Sequence, residues 1–304
     1  MSNNVIPEKK TVRRIRLAYL TSCRELGISG AEKVGRDIYD AESKDHLGYR
    51  EGTLESLANT LNQNKYLSRL FEIDLVIFDD TKKEYEKEWS HHSLWPKHLK
   101  TNNGRTLAEL SRRVPSAWRR LTDKSEKSSS KGAYEKKIMA LLEKNHIDLV
   151  IVDSYRCIIG PILLKKFKGR IINIHPGVLN HKSASTPGAF PTRDSITRAK
   201  YGYIITDDKK ISGKQKGRKI TVVYKGTERT GVKVSKVSIS GVTIHVVNKK
   251  IDAGPLIMER VFRYNVSEMT EEKLRQKNYS IKNKLLPYAL IKYVSENKSL
   301  FGID

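Results

Sequence analysis

Only two cysteines occur in the 304 residues, Cys23 and Cys157, and they stand far apart. No disulfide framework and no cysteine zinc site can be built from such a pair. Long apolar runs are also missing: stretches such as "IDLVIVD" (147–153) fall far short of the roughly 20 residues that cross a bilayer. The first residues are basic but include no apolar segment followed by small residues, so no secretory leader is expected and the expected compartment is the cytoplasm. No G-x-S-x-G elbow is present, and neither cysteine carries a local protease signature. Acidic residues are scarce as well, with 34 Asp and Glu against 58 Lys and Arg, a net charge of +24. That imbalance bears on partners rather than on fold. It fits a polyanion such as RNA, a phosphate-bearing small substrate, or a lysine-rich solvated surface. The last is favoured, because many lysines lie in polar stretches with few aromatics beside them.

What is present is enough for a real core: 38% hydrophobic and 30% charged residues in a chain of this length. "IRLAYLTS" (15–22), "EIDLVIFDD" (72–80), "IDLVIVD" (147–153) and "RIINIH" (170–175) read as buried strands. Leucines three and four apart predict a helix over 52–63, an amphipathic helix is expected over 132–146, and a short one over 160–169 with Gly169 at its end. Strands alternating with helices imply a mostly parallel sheet with crossover helices. Later, 241–247 and 254–264 read as two antiparallel strands, and 269–296 as a long terminal helix interrupted by Pro287. The expected organisation is one α/β domain over 13–298 with polar or basic insertions at about 23–50, 81–131 and 203–240. The serine-lysine stretch near Ser128 reads as a flexible linker. The 203–240 segment carries ten Lys and Arg and alternates enough to predict a basic hairpin.

The chemistry gathers at "IINIHPG" (171–177). Asn173 and His175 are two apart, so they share one face of their strand, and Pro176 ends the ladder. Strand carboxyl ends line the ligand crevice of a parallel sheet. Asp252 stands before the small-residue turn Ala253-Gly254-Pro255, where backbone can approach a ligand closely. A carboxylate that reaches His175 would hold its ring and stabilise the imidazolium. Asparagine, histidine and aspartate together suit acyl transfer, with the oxyanion held by Asn173 and His175. The histidines at 91, 92 and 98 lack matched carboxylate or cysteine spacing, so no metal site is expected.

"NIHPGVL" followed by "GVTIHVVNKKIDAGPLI" resembles the folate-dependent formyltransferase family: Asn173, His175 and Pro176, then Gly241 and His245, then Asp252, Gly254 and Pro255. The phosphoribosylglycinamide formyltransferases look most similar, and the resemblance covers residues 132–200 and 241–296. It implies a Rossmann-like formyltransferase fold and 10-formyltetrahydrofolate as co-substrate. It also implies that Asn173 polarises the formyl oxygen, that His175 stabilises the oxyanion, and that Asp252 orients His175 and assists proton transfer through a water. The pterin would lie against the backbone of Tyr155, Arg156, Cys157 and Ile158, and of Lys250, Ile251, Ala253 and Gly254.

The acceptor side departs from that pattern. The family's phosphate-binding Gly-Ser-Asn turn after the first strand is replaced by "TSCRELGISG", which leaves Ser22 and the 27–30 stretch to meet an anion. The glutamate expected in the last helix is Lys282, which cannot accept from ribose hydroxyls but could meet a phosphate or carboxylate. The expected acceptor is a small-molecule amine, with or without a phosphate, with purine biosynthesis the first candidate and an amino sugar or a hydroxyornithine-like modified amino acid the next. Hydrolysis of the donor uses the same residues. Formylation of methionyl-tRNA is less favoured although "RRVPSAWRR" interleaves Trp118 with four arginines. The family members that act on tRNA carry an added C-terminal barrel, and here only a strand and a helix follow the Asp252 loop.

Overall fold

A computed structural model describes residues 13–22, 51–80, 98–206 and 217–303. The 27–30 stretch, His91 and His92 lie outside the described residues. Ten strands and eight helices follow one another within them: β1 (Ile15–Thr21), α1 (Thr53–Gln63), α2 (Lys65–Leu70), β2 (Phe71–Phe78), α3 (Leu107–Leu110), β3 (Ser111–Arg113), α4 (Lys124–Lys144), β4 (Leu149–Asp153), α5 (Pro161–Lys166), β5 (Ile171–His175), α6 (Pro191–Tyr201), β6 (Tyr203–Ile205), β7 (Lys219–Tyr224), β8 (Thr227–Lys233), β9 (Ile239–Val246), β10 (Leu256–Arg263), α7 (Glu271–Glu296) and α8 (Lys298–Phe301). A 3₁₀ turn covers Ala117–Arg120.

The main sheet has the order β10-β9-β5-β4-β1-β2-β3. Strands β1 to β5 within it run parallel, and β9 and β10 reverse direction. Its central strands are apolar on both faces because helices cover both. On one face Leu17, Tyr19, Ile151, Ile172, Ile174 and Ile244 pack with α1 and with Leu286, Ala289 and Leu290 of α7. On the other, Ala18, Leu20, Val150, Val152 and Ile171 pack with Ile138 and Leu142 of α4 and Leu163 of α5. Each fully buried aliphatic side chain contributes about 1.5–3 kcal/mol through its removal from water.

The expected basic hairpin is present as β7 and β8, which β6 extends into a separate antiparallel sheet. Two expectations are corrected. The serine-lysine stretch is helix rather than linker: α4 starts at Lys124, with the Asp123 carboxylate accepting the Glu126 N–H at 2.7 Å as its cap. The 81–131 segment also contributes to the core from residue 99 onward, since β3 extends the sheet beside β2 and Leu107 and Leu110 are buried. A capping box at Thr106 and Glu109 starts the single turn of α3.

Candidate active site

Strand β5 delivers Asn173 and His175 to the end of the sheet, on the face opposite Ile172 and Ile174. The neighbouring strand runs antiparallel, in register Asn173↔His245 and His175↔Thr243. Four polar side chains thus stand side by side on two adjacent strands. The turn from β9 to β10 then folds Asp252 back over them. Asp252 has a positive φ of 50°, a backbone region that aspartate tolerates better than most residues. Gly254 is required there, because a Cβ at that position would stand 1.6 Å from the Val246 carbonyl oxygen.

The hydrogen bonds set the protonation pattern. His245 Nδ1 lies 3.0 Å from the Val246 carbonyl, which can only accept, so the proton sits on Nδ1 and Nε2 is left as an acceptor. Asn173 Nδ2 donates to that nitrogen at 3.2 Å. One amide N–H of Asn173 is thereby used and the second remains for a substrate oxygen. His175 Nε2 faces the Thr186 carbonyl at 2.8 Å, so the neutral ring carries its proton on Nε2 and its basic nitrogen is Nδ1. That nitrogen lies 3.7 Å from Asp252 Oδ2, and His245 Nε2 lies 3.7 Å from Asp252 Oδ1. Both gaps exceed a hydrogen bond. Asp252 Oδ2 also accepts the Gly188 N–H at 2.7 Å. Burial pushes the Asp252 pKa upward, but the His175 charge, the facing His245 ring and the Gly188 N–H outweigh it, and the carboxyl is held down at about 2. Asp252 is therefore a carboxylate throughout the physiological range.

Glu259 on β10 supports the turn after His175. It accepts from the N–H groups of Leu179 at 2.9 Å and Asn180 at 3.1 Å, and from the Thr243 hydroxyl at 2.6 Å. Asn278 of α7 donates to the Pro176 carbonyl at 3.2 Å.

The two loops expected to hold a pterin flank this group. One follows β4, the other carries Asp252. Ile158 and Ile251 are 58% and 55% exposed, apolar surface of the kind a planar ring would cover. The remaining side chains of the first loop face inward. Arg156 Nη2 pairs with Asp80 at 2.8 Å and its Nε with Asp79 at 3.2 Å. Tyr155 bonds the Tyr134 hydroxyl. Burial and Asp79 push the Cys157 thiol up to about 11. Burial likewise raises Asp79, with Arg156 opposing.

On the acceptor side, the Ser22 hydroxyl donates to Asp80 at 3.3 Å. Lys282 is 0% exposed, and its ammonium meets both oxygens of Asp153 at 2.7 and 3.0 Å. The Tyr19 hydroxyl adds a third bond to Asp153 at 2.7 Å. Lys282 and Ser22 therefore belong to closed networks at the ends of β1, β2 and β4, whereas Asn173, His175 and Asp252 are brought together with His245. The spacing of His245 to Asp252 is the signal that marks it in the sequence, whereas Asp79, Asp80, Asp153, Thr186 and Glu259 carry no local signal.

The formyl transferase family matches residues 100–200. A phosphoribosylglycinamide formyltransferase of Bacillus subtilis (strain 168) is 26% identical over 58% of this chain and 65% of its own length, so the match spans less than two thirds of that relative. Among solved structures, PvdF of pyoverdin biosynthesis, described as a structurally unique N10-formyltetrahydrofolate-dependent formyltransferase, aligns over 93% of this chain and 100% of its own at 24% identity and a TM-score of 0.69. The phosphoribosylglycinamide formyltransferase of Bacillus halodurans aligns over 94% and 98% at 21% identity and a TM-score of 0.54.

Proposed function

We propose that this chain is a folate-dependent formyltransferase that transfers the formyl group of 10-formyltetrahydrofolate to a small-molecule primary amine. The observation that carries the reading is the pairing of a spare Asn173 N–H with a basic His175 Nδ1 held 3.7 Å from a permanent carboxylate. In the proposed reaction the neutral amine attacks the formyl carbon and the carbonyl oxygen becomes an oxyanion. Asn173 donates its second N–H to that oxygen, and protonated His175 donates from Nδ1. The amine's proton leaves through a water to Asp252. That proton is passed through the water to N10 as the carbon–N10 bond breaks, giving tetrahydrofolate and the N-formyl product, while the oxyanion collapses back to a carbonyl. The donor's pterin lies between the loop of Tyr155, Arg156, Cys157 and Ile158 and that of Lys250, Ile251, Ala253 and Gly254.

For the acceptor, a modified amino acid or amino sugar is favoured over phosphoribosylglycinamide. The phosphate turn after β1 is absent from the sequence. The Lys282 ammonium is occupied by Asp153. The shape likeness is also greater to PvdF, a formyltransferase of pyoverdin biosynthesis, than to the Bacillus halodurans enzyme.

The test is a transfer assay with 10-formyltetrahydrofolate against N-hydroxyornithine, amino sugars, phosphoribosylglycinamide and water alone, with formylated product read by mass. Product with one of the first two supports the acceptor class. Product only with phosphoribosylglycinamide assigns purine synthesis instead, and donor cleavage without any amine assigns a hydrolase. Absence of both folate binding and donor consumption would sink the reading altogether.

A further inference from the structure

Arg198 of α6 plays no part in the transfer described above, yet it is an expensive residue to keep. Its guanidinium is buried, with the whole residue 3% exposed. Nη2 donates to the Ser185 carbonyl at 2.7 Å, while Nε and Nη1 find no protein acceptor. A buried cation with unmade bonds costs several kcal/mol relative to an apolar side chain of the same size. Its position shows what the charge does.

The peptide unit joining Ser185 and Thr186 is pinned at both ends. Arg198 holds its carbonyl, and its N–H donates to the Val178 carbonyl at 2.8 Å. The next carbonyl, of Thr186, is the one that faces His175 Nε2. Pro187 follows and offers no competing N–H. Gly188, at a φ of 96° open to glycine, then donates to Asp252. Four consecutive residues therefore supply the acceptor for one reacting side chain and the donor for the other, and Arg198 holds the first of the four. The Thr186 side chain lies against the same ring: a Cβ on Gly177 would touch both Thr186 Oγ1 and His175 Nε2.

We infer that Arg198 is a positioning residue. By fixing residues 185–188 it keeps the Thr186 carbonyl aimed at His175 Nε2 and so selects the tautomer whose basic nitrogen faces Asp252. The physical reason is exclusive. A neutral imidazole has one N–H, and a carbonyl only accepts. With the Thr186 carbonyl turned away, the proton moves to Nδ1, bonds Asp252 directly, and the basic nitrogen points into protein where no substrate reaches it. A tautomer error of this kind leaves the ring present and the reaction slow. This inference rests on the transfer reading proposed above, but the tautomer itself is observable without any turnover.

The test uses the full chain with ¹⁵N-labelled histidine, in the native sequence and in Arg198→Met, Arg198→Lys and Arg198→Gln, with His175→Asn to assign the resonances. The native His175 is expected to show two well-separated nitrogens with the proton on Nε2. In Arg198→Met they are expected to move toward each other as the Nδ1–H form appears. Lysine, which can still donate to Ser185, is expected to retain most of the native pattern. In the transfer assay, kcat of Arg198→Met should fall on the order of 10-fold to 100-fold with donor KM within about twofold, the mark of lost alignment rather than lost binding. Should Arg198→Met not fold, Arg198→Gln is read the same way. Unshifted His175 nitrogens, or an unchanged kcat with shifted ones, would overturn the inference. Absence of formyl transfer by the native chain would instead overturn the transfer reading and leave the nitrogen measurement standing.

Discussion

Two groups of charged side chains occupy the same end of the same sheet, and they are built on opposite rules. Beyond β1, β2 and β4, opposite charges touch: Lys282 on Asp153 at 2.7 Å, and Arg156 on Asp80 at 2.8 Å. Beyond β5 and β9, they are held apart: His175 and His245 each stop 3.7 Å short of Asp252. Contact neutralises a buried charge and closes the site to anything else. Separation leaves the facing groups short of direct contact with the carboxylate, and one Asn173 N–H is left over from its bond to His245. A count of charged residues would rank the two groups alike; only the second has bonding capacity left to spend on a reaction.

The contrast can be broken most severely at Lys282. Replacing it with methionine leaves Asp153 buried and uncompensated, and should cost about 3–5 kcal/mol of stability by denaturant titration. The double change Lys282→Met with Asp153→Leu should recover most of it. A Lys282→Met protein of native stability that has lost transfer would move this residue from the closed group to the reactive one. His175→Asn should do the reverse: a loss on the order of 10²-fold to 10⁴-fold in kcat/KM with a nearly unchanged melting temperature.

Asp252→Asn sits between the two. Its carboxyl is held at about 2 against an ordinary 3.8, so it stabilises the fold above pH 4 and loses that contribution as pH falls through about 2. The native-minus-variant difference should be about 2 kcal/mol at neutral pH and shrink to nothing in strong acid. A difference that stays flat from neutral pH down to pH 2 would mean Asp252 has no stabilising partner in solution. The smallest effect concerns Cys157, whose thiol is pushed up to about 11. In a Cys23→Ser background it should label slowly with iodoacetamide at pH 8 and rapidly after unfolding, by mass spectrometry. Fast labelling of the native protein would show that the closed network around Asp79 opens.

The reactive group was legible in the sequence for a reason that the closed group lacked. Asn173 and His175 are neighbours in the chain, and a period of two places them on one face whatever surrounds them. Asp252 and His245 share a short segment with its own spacing. Lys282 and Asp153, by contrast, are 129 residues apart, and Arg156 and Asp79 are 77 apart. Nothing local marks either carboxylate as a partner, so in the sequence Lys282 looks like a residue awaiting an anion. The parallel sheet, its reversal at β9 and the long last helix followed from hydrophobic period. The first two turns of α4 did not, because "DKSEKSSSKG" has the composition of a linker. Its helix depends on the Asp123 cap and on Tyr134 and Ile138 further along, which anchor the continuing spiral in the core.

The direct pairing of β5 with β9 carries one more consequence. Asn173 and His245 face each other across adjacent strands although 72 residues separate them in the chain. The intervening stretch, including the whole three-stranded sheet, is looped out of the pairing. Loop closure grows only slowly with length, by about 0.6 kcal/mol per doubling. The three-stranded sheet within that stretch can therefore lengthen or shorten at little thermodynamic cost, while the strand register beneath it keeps Asn173 and His245 together.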